Sequence, residues 1–291
     1  MPRPDMLQPA TLDDALRALA KRGAVPLAGA TDLIPAMLKG EAAPKILVNL
    51  KGISALDGIR RARGGVRIGA LTRVADLLRD DLCAEHAPLL VDVAREFASP
   101  QIRSLATIGG NLCNAAPSAD FALPLLVLDA RVASAGPEGA REMPIEEFFR
   151  GVNKTALRRG EILTAIAIPK RRPRTGTAWA KLGVRRAMDL AFVGVAAAIQ
   201  LAPNMEKCRS ARIALGAVAP IPMRARKAEA VLEGKAITNE LIEEAAAAAA
   251  AESRPITDLR ASKEYRREMT EVLTRRAVRE AIRQARKEQS K

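Results

Sequence analysis

Residues 105–120 read LATIGGNLCNAAPSAD. The adjacent glycines Gly109 and Gly110 have no Cβ atom, which suits a place where the backbone passes close to something bulky. Thr107 and Asn111 flank them with short polar groups that can bond a phosphate or a nearby carbonyl. Successive N–H groups in such a loop can form an anion-binding nest. The pattern favours a pyrophosphate-binding loop, and a tight glycine turn between a strand and a helix is the alternative.

A second loop of small residues lies upstream. Residues 27–33 read LAGATDL, between an apolar strand at 24–27 and the apolar run 34–38. Alone this loop is a weak signal, but two small-residue loops together suit a ligand too long for one of them, such as a dinucleotide. Neither loop contains GxGxxG or a Walker motif, which disfavours the Rossmann and P-loop folds.

Three long segments carry a resemblance to a known family. They are AGATDLIPAMLKG at 28–40, ASPQIRSLATIGGNLCNAAPSAD at 98–120 and WAKLGVRRAMDLAFVGVAAAI at 179–199, with SKEYR at 262–266. These segments resemble the FAD-binding (medium) subunits of the molybdenum hydroxylases, the family of xanthine dehydrogenase and aerobic carbon monoxide dehydrogenase. The resemblance covers nearly the whole chain.

The resemblance implies an α+β fold in two parts. Residues 1–172 would form an FAD-binding domain of the PCMH/vanillyl-alcohol-oxidase type, with two subdomains that divide near residues 55–60. Residues 173–291 would form a smaller α+β C-terminal domain with an antiparallel sheet and helices. The charged, proline-rich stretch from Pro169 to Gly176 is the predicted linker.

The resemblance also implies FAD as the cofactor and a set of residues that contact it. Residues 27–33 would wrap one part of FAD, and residues 107–111 would hold its pyrophosphate. Ala30 departs from the glycine that many relatives have there, and alanine tolerates a positive φ poorly. The implied cofactor-binding residues are Leu27, Ala28, Gly29, Ala30, Thr31, Asp32, Leu33, Phe97, Ala98, Thr107, Gly109, Gly110, Asn111, Asp120, Leu163, Lys181 and Leu190.

Three of these residues have competing interpretations. Phe97 suits a core anchor as well as a flavin neighbour. Lys181 suits an ordinary exposed lysine as well as a positive charge that would stabilise reduced, anionic flavin. Asp120 matches a carboxylate that hydrogen-bonds the cofactor, but with Ser118 it also precedes the apolar run 121–128 as a helix start would.

The implied function is electron transfer within a complex. A large molybdopterin-binding subunit would hydroxylate the substrate, and a small subunit would carry two [2Fe-2S] clusters. This chain's FAD would take electrons singly and pass them to a soluble acceptor, and two such heterotrimers would pair. The protein supplies position and potential, so no catalytic side chain is expected. A self-contained FAD-dependent oxidoreductase and a basic binding module without flavin remain the alternatives.

Composition indicates how the core is built and argues against several kinds of site. With 2% aromatic residues, the core must be built from Ala, Val, Leu and Ile. The three cysteines, Cys83, Cys113 and Cys208, are far apart, which argues against a disulfide, a metal site or an iron–sulfur cluster on this chain. Cys113 suits a small buried residue, and the single His86 suits a surface or capping residue.

Charge and hydropathy indicate which binding partners and which cellular compartment to expect. The net charge of +14 raises the question of nucleic acid, but aromatic residues for base stacking are not interleaved with the basic ones. The basic run from Lys170 to Arg186 suits a docking surface for acidic partners, or solubility. Neither a membrane span nor an apolar signal region is evident in the sequence, and a cytoplasmic location is expected.

Hydrophobic periodicity predicts the order of elements. The first segment has a β–α–β pattern, with a capping-box-like start at Thr11 and Asp14. Beyond the linker, strands at 179–184, 192–201 and 211–218 precede helices at 226–233, 240–252 and 263–287. Strands followed by helices are typical of an α+β domain.

Overall fold

The first subdomain of the computed structural model, which describes residues 3–185 and 188–287, is a small parallel sheet with two helices. Strands β1 (Asp5–Leu7), β3 (Ile46–Asn49) and β2 (Ala24–Leu27) lie in that order, with α1 (Leu12–Leu19) and α2 (Leu33–Leu38) as connections. The predicted cap at Thr11 is confirmed, because its side chain accepts a hydrogen bond from the Asp14 N–H at 3.2 Å. The sheet places the end of β2, and therefore the first loop, at one edge.

The second subdomain is a five-stranded antiparallel sheet covered by short helices. Its strand order is β4 (Ile59–Ala62), β5 (Gly65–Gly69), β10 (Ile162–Pro169), β6 (Arg131–Gly136) and β7 (Gly139–Pro144). A small hairpin, β8 (Phe149–Gly151) and β9 (Lys154–Thr155), precedes β10. The helices are α3 (Val74–Leu77), α4 (Asp81–His86), α5 (Pro88–Glu96), α6 (Pro100–Arg103), α7 (Ile108–Asn114) and α8 (Ala122–Val127).

A helix begins in the apolar run after Asp120, but the capping role expected of Ser118 and Asp120 is wrong. Helix α8 begins at Ala122 after Phe121, and no side chain caps it. Asp120 instead forms an ion pair with Lys181 of the C-terminal part of the chain. A carboxylate two residues before the helix is therefore used for a contact distant in sequence, which a local capping pattern cannot reveal.

The C-terminal domain is an antiparallel sheet followed by helices, as the sequence predicts. The sheet consists of β11 (Thr175–Leu182), β12 (Val193–Leu201), β13 (Cys208–Gly216) and β14 (Met223–Arg224) in order. Helices α9 (Arg226–Leu232), α10 (Asn239–Glu252) and α11 (Lys263–Lys287) follow. The first strand begins at Thr175 rather than at the expected Trp179, so the predicted linker is shorter than its composition indicates.

Glycine and alanine allow this sheet to be covered closely on both faces. A Cβ at Gly176 of β11 would collide with the Ala281 carbonyl of α11. On the other face, Cβ atoms at Gly194 and Gly216 would lie 3.0 and 2.9 Å from the Leu123 side chain of α8. Every residue of β12 is buried as a result. The small residues explain how a chain with few aromatic side chains builds a dense core.

The basic run from Lys170 to Arg186 does not form one surface. The Arg171 guanidinium donates to the Thr175 carbonyl, and Lys181 is buried against Asp120. Arg186 lies outside the described residues. His86 ends α4, where its Nε2 atom lies 3.1 Å from the Arg61 guanidinium. In the described part of the chain, no helix is long and apolar enough to cross a membrane.

Arg266, in the SKEYR segment, fastens three pieces of the C-terminal domain together. Its guanidinium donates to the carbonyls of Phe192 and Ala217 at 2.9 and 3.1 Å, and to the Asp258 carboxylate at 2.7 Å. Partial burial would raise the pKa of Asp258, but hydrogen bonds from the Arg260 N–H, Arg266 and the Ala261 N–H lower it to about 2. The charged carboxylate is therefore favoured in the folded state.

Asp258 is expected to stabilise the fold only in its ionised form. A carboxyl whose pKa is lowered on folding contributes stability above its unfolded pKa, and that contribution disappears as the pH falls through the folded pKa. Asp258→Asn should lower the free energy of unfolding by about 2 kcal/mol at pH 7. The difference from the unmodified protein should shrink between pH 4 and pH 2. Denaturant titrations of both proteins across this range measure it, and a difference independent of pH would contradict the role of the charge.

Candidate functional site

The Gly-Gly pair lies in the first turn of a helix, not in a loop. Thr107 caps α7, and its Oγ1 atom accepts a hydrogen bond from the Gly110 N–H at 3.0 Å. The Asn111 N–H donates to the Thr107 carbonyl at 3.1 Å. The alternative of a tight glycine turn between a strand and a helix is therefore wrong in detail, because the glycines belong to the helix.

The remaining N–H groups of this turn also have partners within the protein. The Ile108 N–H donates to the Thr72 carbonyl at 3.0 Å, and the Gly109 N–H donates to the Ala70 carbonyl at 2.9 Å. A Cβ at Gly109 would lie 2.5 Å from the same Ala70 oxygen, so this glycine permits α7 to sit against the end of β5. The turn is held by the protein itself, and its N–H groups do not form the open anion nest that the sequence predicts.

The other loop has the open N–H groups. Among the described residues, we find no acceptor for the backbone N–H groups from Gly29 to Leu33. Ala30 has a φ of 64°, the left-handed conformation that glycine would adopt at less cost. Alternation of right- and left-handed backbone brings successive N–H groups together into a concave anion site. The unbonded N–H groups that an anion requires therefore lie in the first loop.

The two loops touch backbone to backbone. A Cβ at Gly29 would collide with the carbonyl oxygen of Leu105 and would lie 2.9 Å from the Cα of Ala106. No side chain larger than hydrogen fits between them. Gly29 is thus required by the contact between the two loops, independently of any ligand.

A cavity of about 430 Å³ opens where the loops meet. Twelve of the seventeen predicted residues line it. They are Ala28, Gly29, Ala30, Thr31, Asp32, Leu33, Phe97, Thr107, Gly109, Gly110, Asn111 and Leu163. Phe97 packs on Phe121 with ring centroids 5.3 Å apart, as a core anchor would, and it also lines the cavity. Its place beside the flavin stays a prediction.

Five predicted residues do not line the cavity: Leu27, Ala98, Asp120, Lys181 and Leu190. Leu27 is buried at the end of β2, and Leu190 is 54% exposed. Lys181 is not an ordinary exposed lysine, because its Nζ atom lies 2.9 Å from the Asp120 carboxylate and both side chains are about 90% buried. Burial raises the pKa of Asp120, and the lysine opposes that rise.

Sequence reasoning missed half of the cavity wall. Some missed residues, such as Val25 and Leu71, are ordinary apolar residues of strands or strand ends and carry no local signal. Others, such as Ala106 and Cys113, lie within the two quoted segments beside predicted residues. The rest come from a segment distant in sequence, as Leu157, Glu161 and Ile162 do. The missed residues are Val25, Pro26, Ala36, Leu50, Ala70, Leu71, Ala106, Cys113, Asn114, Leu157, Glu161 and Ile162.

Three ionisable groups in the wall have shifted pKa values. Desolvation raises the pKa of Asp32, and it raises the pKa of the Cys113 thiol to about 12. Cys113 is exposed towards the cavity, so the expectation that it is a small buried residue is wrong. A hydrogen bond from Arg141 lowers the pKa of Glu161. At neutral pH the wall therefore contains a neutral Cys113 thiol and an ionised Glu161 carboxylate.

The donor set fits a dinucleotide cofactor. The free N–H groups of residues 29–33 suit a pyrophosphate, and Gly110 leaves room that a Cβ beside Thr107 would fill. Apolar side chains such as Leu33, Leu157 and Leu163 suit the flat faces of the rings. No group of three or more His, Cys, Asp or Glu side chains that could hold a metal ion occurs in residues 3–185 and 188–287.

Comparison with known families gives the class of protein. A model described as the FAD binding domain in molybdopterin dehydrogenase matches residues 3–171. A model described as the CO dehydrogenase flavoprotein C-terminal domain matches residues 179–281. The chain therefore belongs to the FAD-binding medium subunits of the xanthine dehydrogenase and carbon monoxide dehydrogenase family. The domain boundary near residue 172 stays a prediction.

Individual relatives agree along nearly the whole chain. The carbon monoxide dehydrogenase medium chain of Afipia carboxidovorans is 38% identical over 95% of this chain and 96% of the relative. The xanthine dehydrogenase FAD-binding subunit of Escherichia coli is 34% identical over 94% of each chain. A reconstituted CO dehydrogenase from Oligotropha carboxidovorans matches with a TM-score of 0.93 at 37% identity, over 97% of this chain and 98% of that one. The chain is thus an FAD-binding oxidoreductase subunit.

The Cβ atom of Ala30, which is held in the left-handed conformation, is expected to cost stability without serving FAD binding. Ala30→Gly should raise the free energy of unfolding by about 1 kcal/mol, because glycine adopts this φ without a Cβ clash. FAD affinity should change less than twofold, since the N–H groups remain. Denaturant titration and flavin fluorescence measure the two effects. The control Ala28→Gly, where φ is not positive, should destabilise the protein, and equal effects of both changes would refute the explanation.

Substitutions at the two adjacent glycines are expected to have different effects, one on FAD binding and the other on stability. Gly110→Val should weaken FAD binding at least tenfold and lower stability by only about 1 kcal/mol, because the one neighbour its Cβ meets is the capping Thr107 hydroxyl. Gly109→Val should lower stability by about 3 kcal/mol, because its Cβ meets the Ala70 backbone. Thermal unfolding and FAD titration separate the outcomes. Stoichiometric FAD in the Gly110 variant would rule out this wall as the FAD site.

Proposed function

We propose that FAD lies in the cavity between residues 27–33 and 105–114, and that the chain relays electrons within a molybdenum hydroxylase complex. Electrons would arrive from [2Fe-2S] clusters on a partner subunit and leave to an external acceptor. The observation that carries the proposal is the cavity itself, where both loops of the family's FAD-binding domain meet. Bound FAD supplies the capacity to accept and release electrons.

The first loop is the proposed phosphate site. Its N–H groups from Gly29 to Leu33 are fixed by the left-handed turn at Ala30 and by the contact of Gly29 with Leu105. Fixed donors favour an anion because little conformational entropy is lost when it binds. The Thr31 hydroxyl beside them is a further donor. The capped turn of α7 forms the opposite wall and keeps its shape without help from the ligand.

The apolar side chains of the cavity hold and enclose the ring systems. Ile162 and Leu163 come from the start of β10, and Leu157 comes from the loop before it. Phe97 faces the same cavity from the end of α5. Exclusion of water strengthens every polar contact that remains inside. The proposal requires no side chain to transfer a proton to substrate, because hydroxylation takes place on another subunit.

The proposed partners are a large molybdopterin-binding subunit and a small [2Fe-2S] subunit. The support is that similar proteins are named as medium chains or as a subunit of a dehydrogenase complex. We propose a heterotrimer, two copies of which pair.

Native purification tests the complex. The protein isolated from its source should show flavin and iron–sulfur absorption and should bring two further polypeptides, with molybdenum in the larger one. Flavin in a single isolated polypeptide that turns over an organic substrate would support a self-contained oxidoreductase instead. A colourless protein that cannot be reconstituted with FAD would contradict both.

Removal of either charge of the Asp120–Lys181 ion pair is expected to shift the reduction potential of bound FAD. Reduction adds negative charge to the flavin, so a nearby positive charge raises the reduction potential and a negative charge lowers it. Asp120→Asn leaves the lysine uncompensated and should raise the potential. Lys181→Gln should lower it by less, because loss of the lysine favours the neutral form of the buried Asp120. The double variant should return close to the original value. Spectroelectrochemical titration measures these shifts, and shifts of the same sign in both single variants would contradict the charge effect.

A further inference from the structure

We propose that Arg141 and Glu161 are positioning residues for the FAD site, acting as a clip that fixes one wall of the cavity. This inference rests on the proposed placement of FAD in that cavity. The wall consists of Leu157, Ile162 and Leu163, which come from the loop of residues 156–161 and the start of β10. Arg141 does not line the cavity, so it acts through the wall and not on the ligand.

Arg141 holds both ends of the loop at once. Its Nε and Nη2 atoms donate to the two oxygens of the Glu161 carboxylate at 2.8 and 2.6 Å, which is a bidentate contact. The same Nη2 atom donates to the Ala156 carbonyl at 2.6 Å. The first and last residues of the loop are therefore bound to one guanidinium group, and Leu157 is held between them.

Glu161 closes the loop from the inside. Its carboxylate also accepts a hydrogen bond from the Arg158 N–H at 2.8 Å, and the Glu161 N–H donates to the Arg158 carbonyl at 3.0 Å. The Glu161 side chain is only 5% exposed. A buried carboxylate with this many donors stays ionised, and its pKa is lowered chiefly by the bond from Arg141.

The sheet directs Arg141 towards this position. Arg141 of β7 lies opposite Ser134 of β6, which lies opposite Leu163 of β10. Residues directly opposite one another across neighbouring strands point to the same face of the sheet. Gly136 of β6 completes the arrangement, because a Cβ there would lie 2.6 Å from the Glu161 Cγ atom and block its path.

The chain offers a matched control. Arg67 pairs with Glu142 at 3.3 Å, and both side chains are about half exposed. These residues lie on β5 and β7 of the same sheet, and neither lines the cavity. Arg67→Ala removes an arginine–carboxylate pair of the same chemistry without touching the loop. Any effect that Arg67→Ala and Arg141→Ala share is caused by the loss of a positive charge or by a general loss of stability, and not by the loop.

The test begins with hydrogen exchange in the full-length protein without FAD. In Arg141→Ala, amide exchange from Leu157 to Ile162 should rise about tenfold or more, because hydrogen bonds to charged groups are lost. Arg67→Ala should leave exchange in this segment unchanged. Glu161→Gln should give an intermediate rise, since an amide keeps one acceptor, and it serves if Arg141→Ala does not fold. Unchanged exchange in both clip variants would overturn the clip.

The second measurement is FAD affinity by fluorescence titration, in the isolated chain or in the assembled complex. Arg141→Ala should weaken FAD binding about tenfold, with Arg141→Lys between it and the unmodified protein. A faster-exchanging loop with unchanged affinity would overturn the positioning role and leave a purely structural ion pair. Failure of the proposed function looks different. In that case the unmodified protein would not bind FAD, or Gly110→Val would keep it, whatever the exchange data show.

Discussion

The site depends on a contact between two stretches of backbone with no side chain between them. Gly29 lies against the Leu105 carbonyl, and Gly109 lies against the Ala70 carbonyl in the same way. These two approaches bring the first loop, the end of β5 and the start of α7 to one cavity. Because carbonyl oxygens cannot move aside as flexible side chains do, each position admits only hydrogen in place of a side chain. Gly29 and Gly109 are therefore required by the packing of the backbone, whether or not a ligand is bound.

The same use of small residues continues through the C-terminal domain. Its sheet is covered by α11 on one face and by Leu123 of α8 on the other, at distances that glycine and alanine permit. The Leu123 contact joins the two domains, and the Ala217 N–H reinforces it by donating to the Pro117 carbonyl at 2.7 Å. The cavity wall and the domain interface thus depend on the same kind of packing. Small residues let the backbone approach its neighbours closely, and few aromatic side chains are needed to fill space.

Two ion pairs lie near the site. Lys181 is balanced by Asp120, and Arg141 is balanced by Glu161. A buried charge without a partner costs several kcal/mol, and in each of these pairs the two charges balance one another. The two pairs differ in what they join. The first connects the FAD-binding domain to the C-terminal sheet, and the second connects one sheet edge to the loop of the cavity wall.

The sequence by itself determined the family, the order of elements and half of the residues that line the cavity. Short-range signals were sufficient there, because glycine runs, caps such as Thr11 and alternating strands record constraints among neighbouring residues. Only the tertiary structure decided that the Gly-Gly pair opens a helix, that the free N–H groups lie at Gly29–Leu33, and that Asp120 pairs with Lys181. The reason is physical: which hydrogen bonds a turn satisfies, and which charges meet, depends on strands and helices distant in sequence. Local pattern carries no record of those partners.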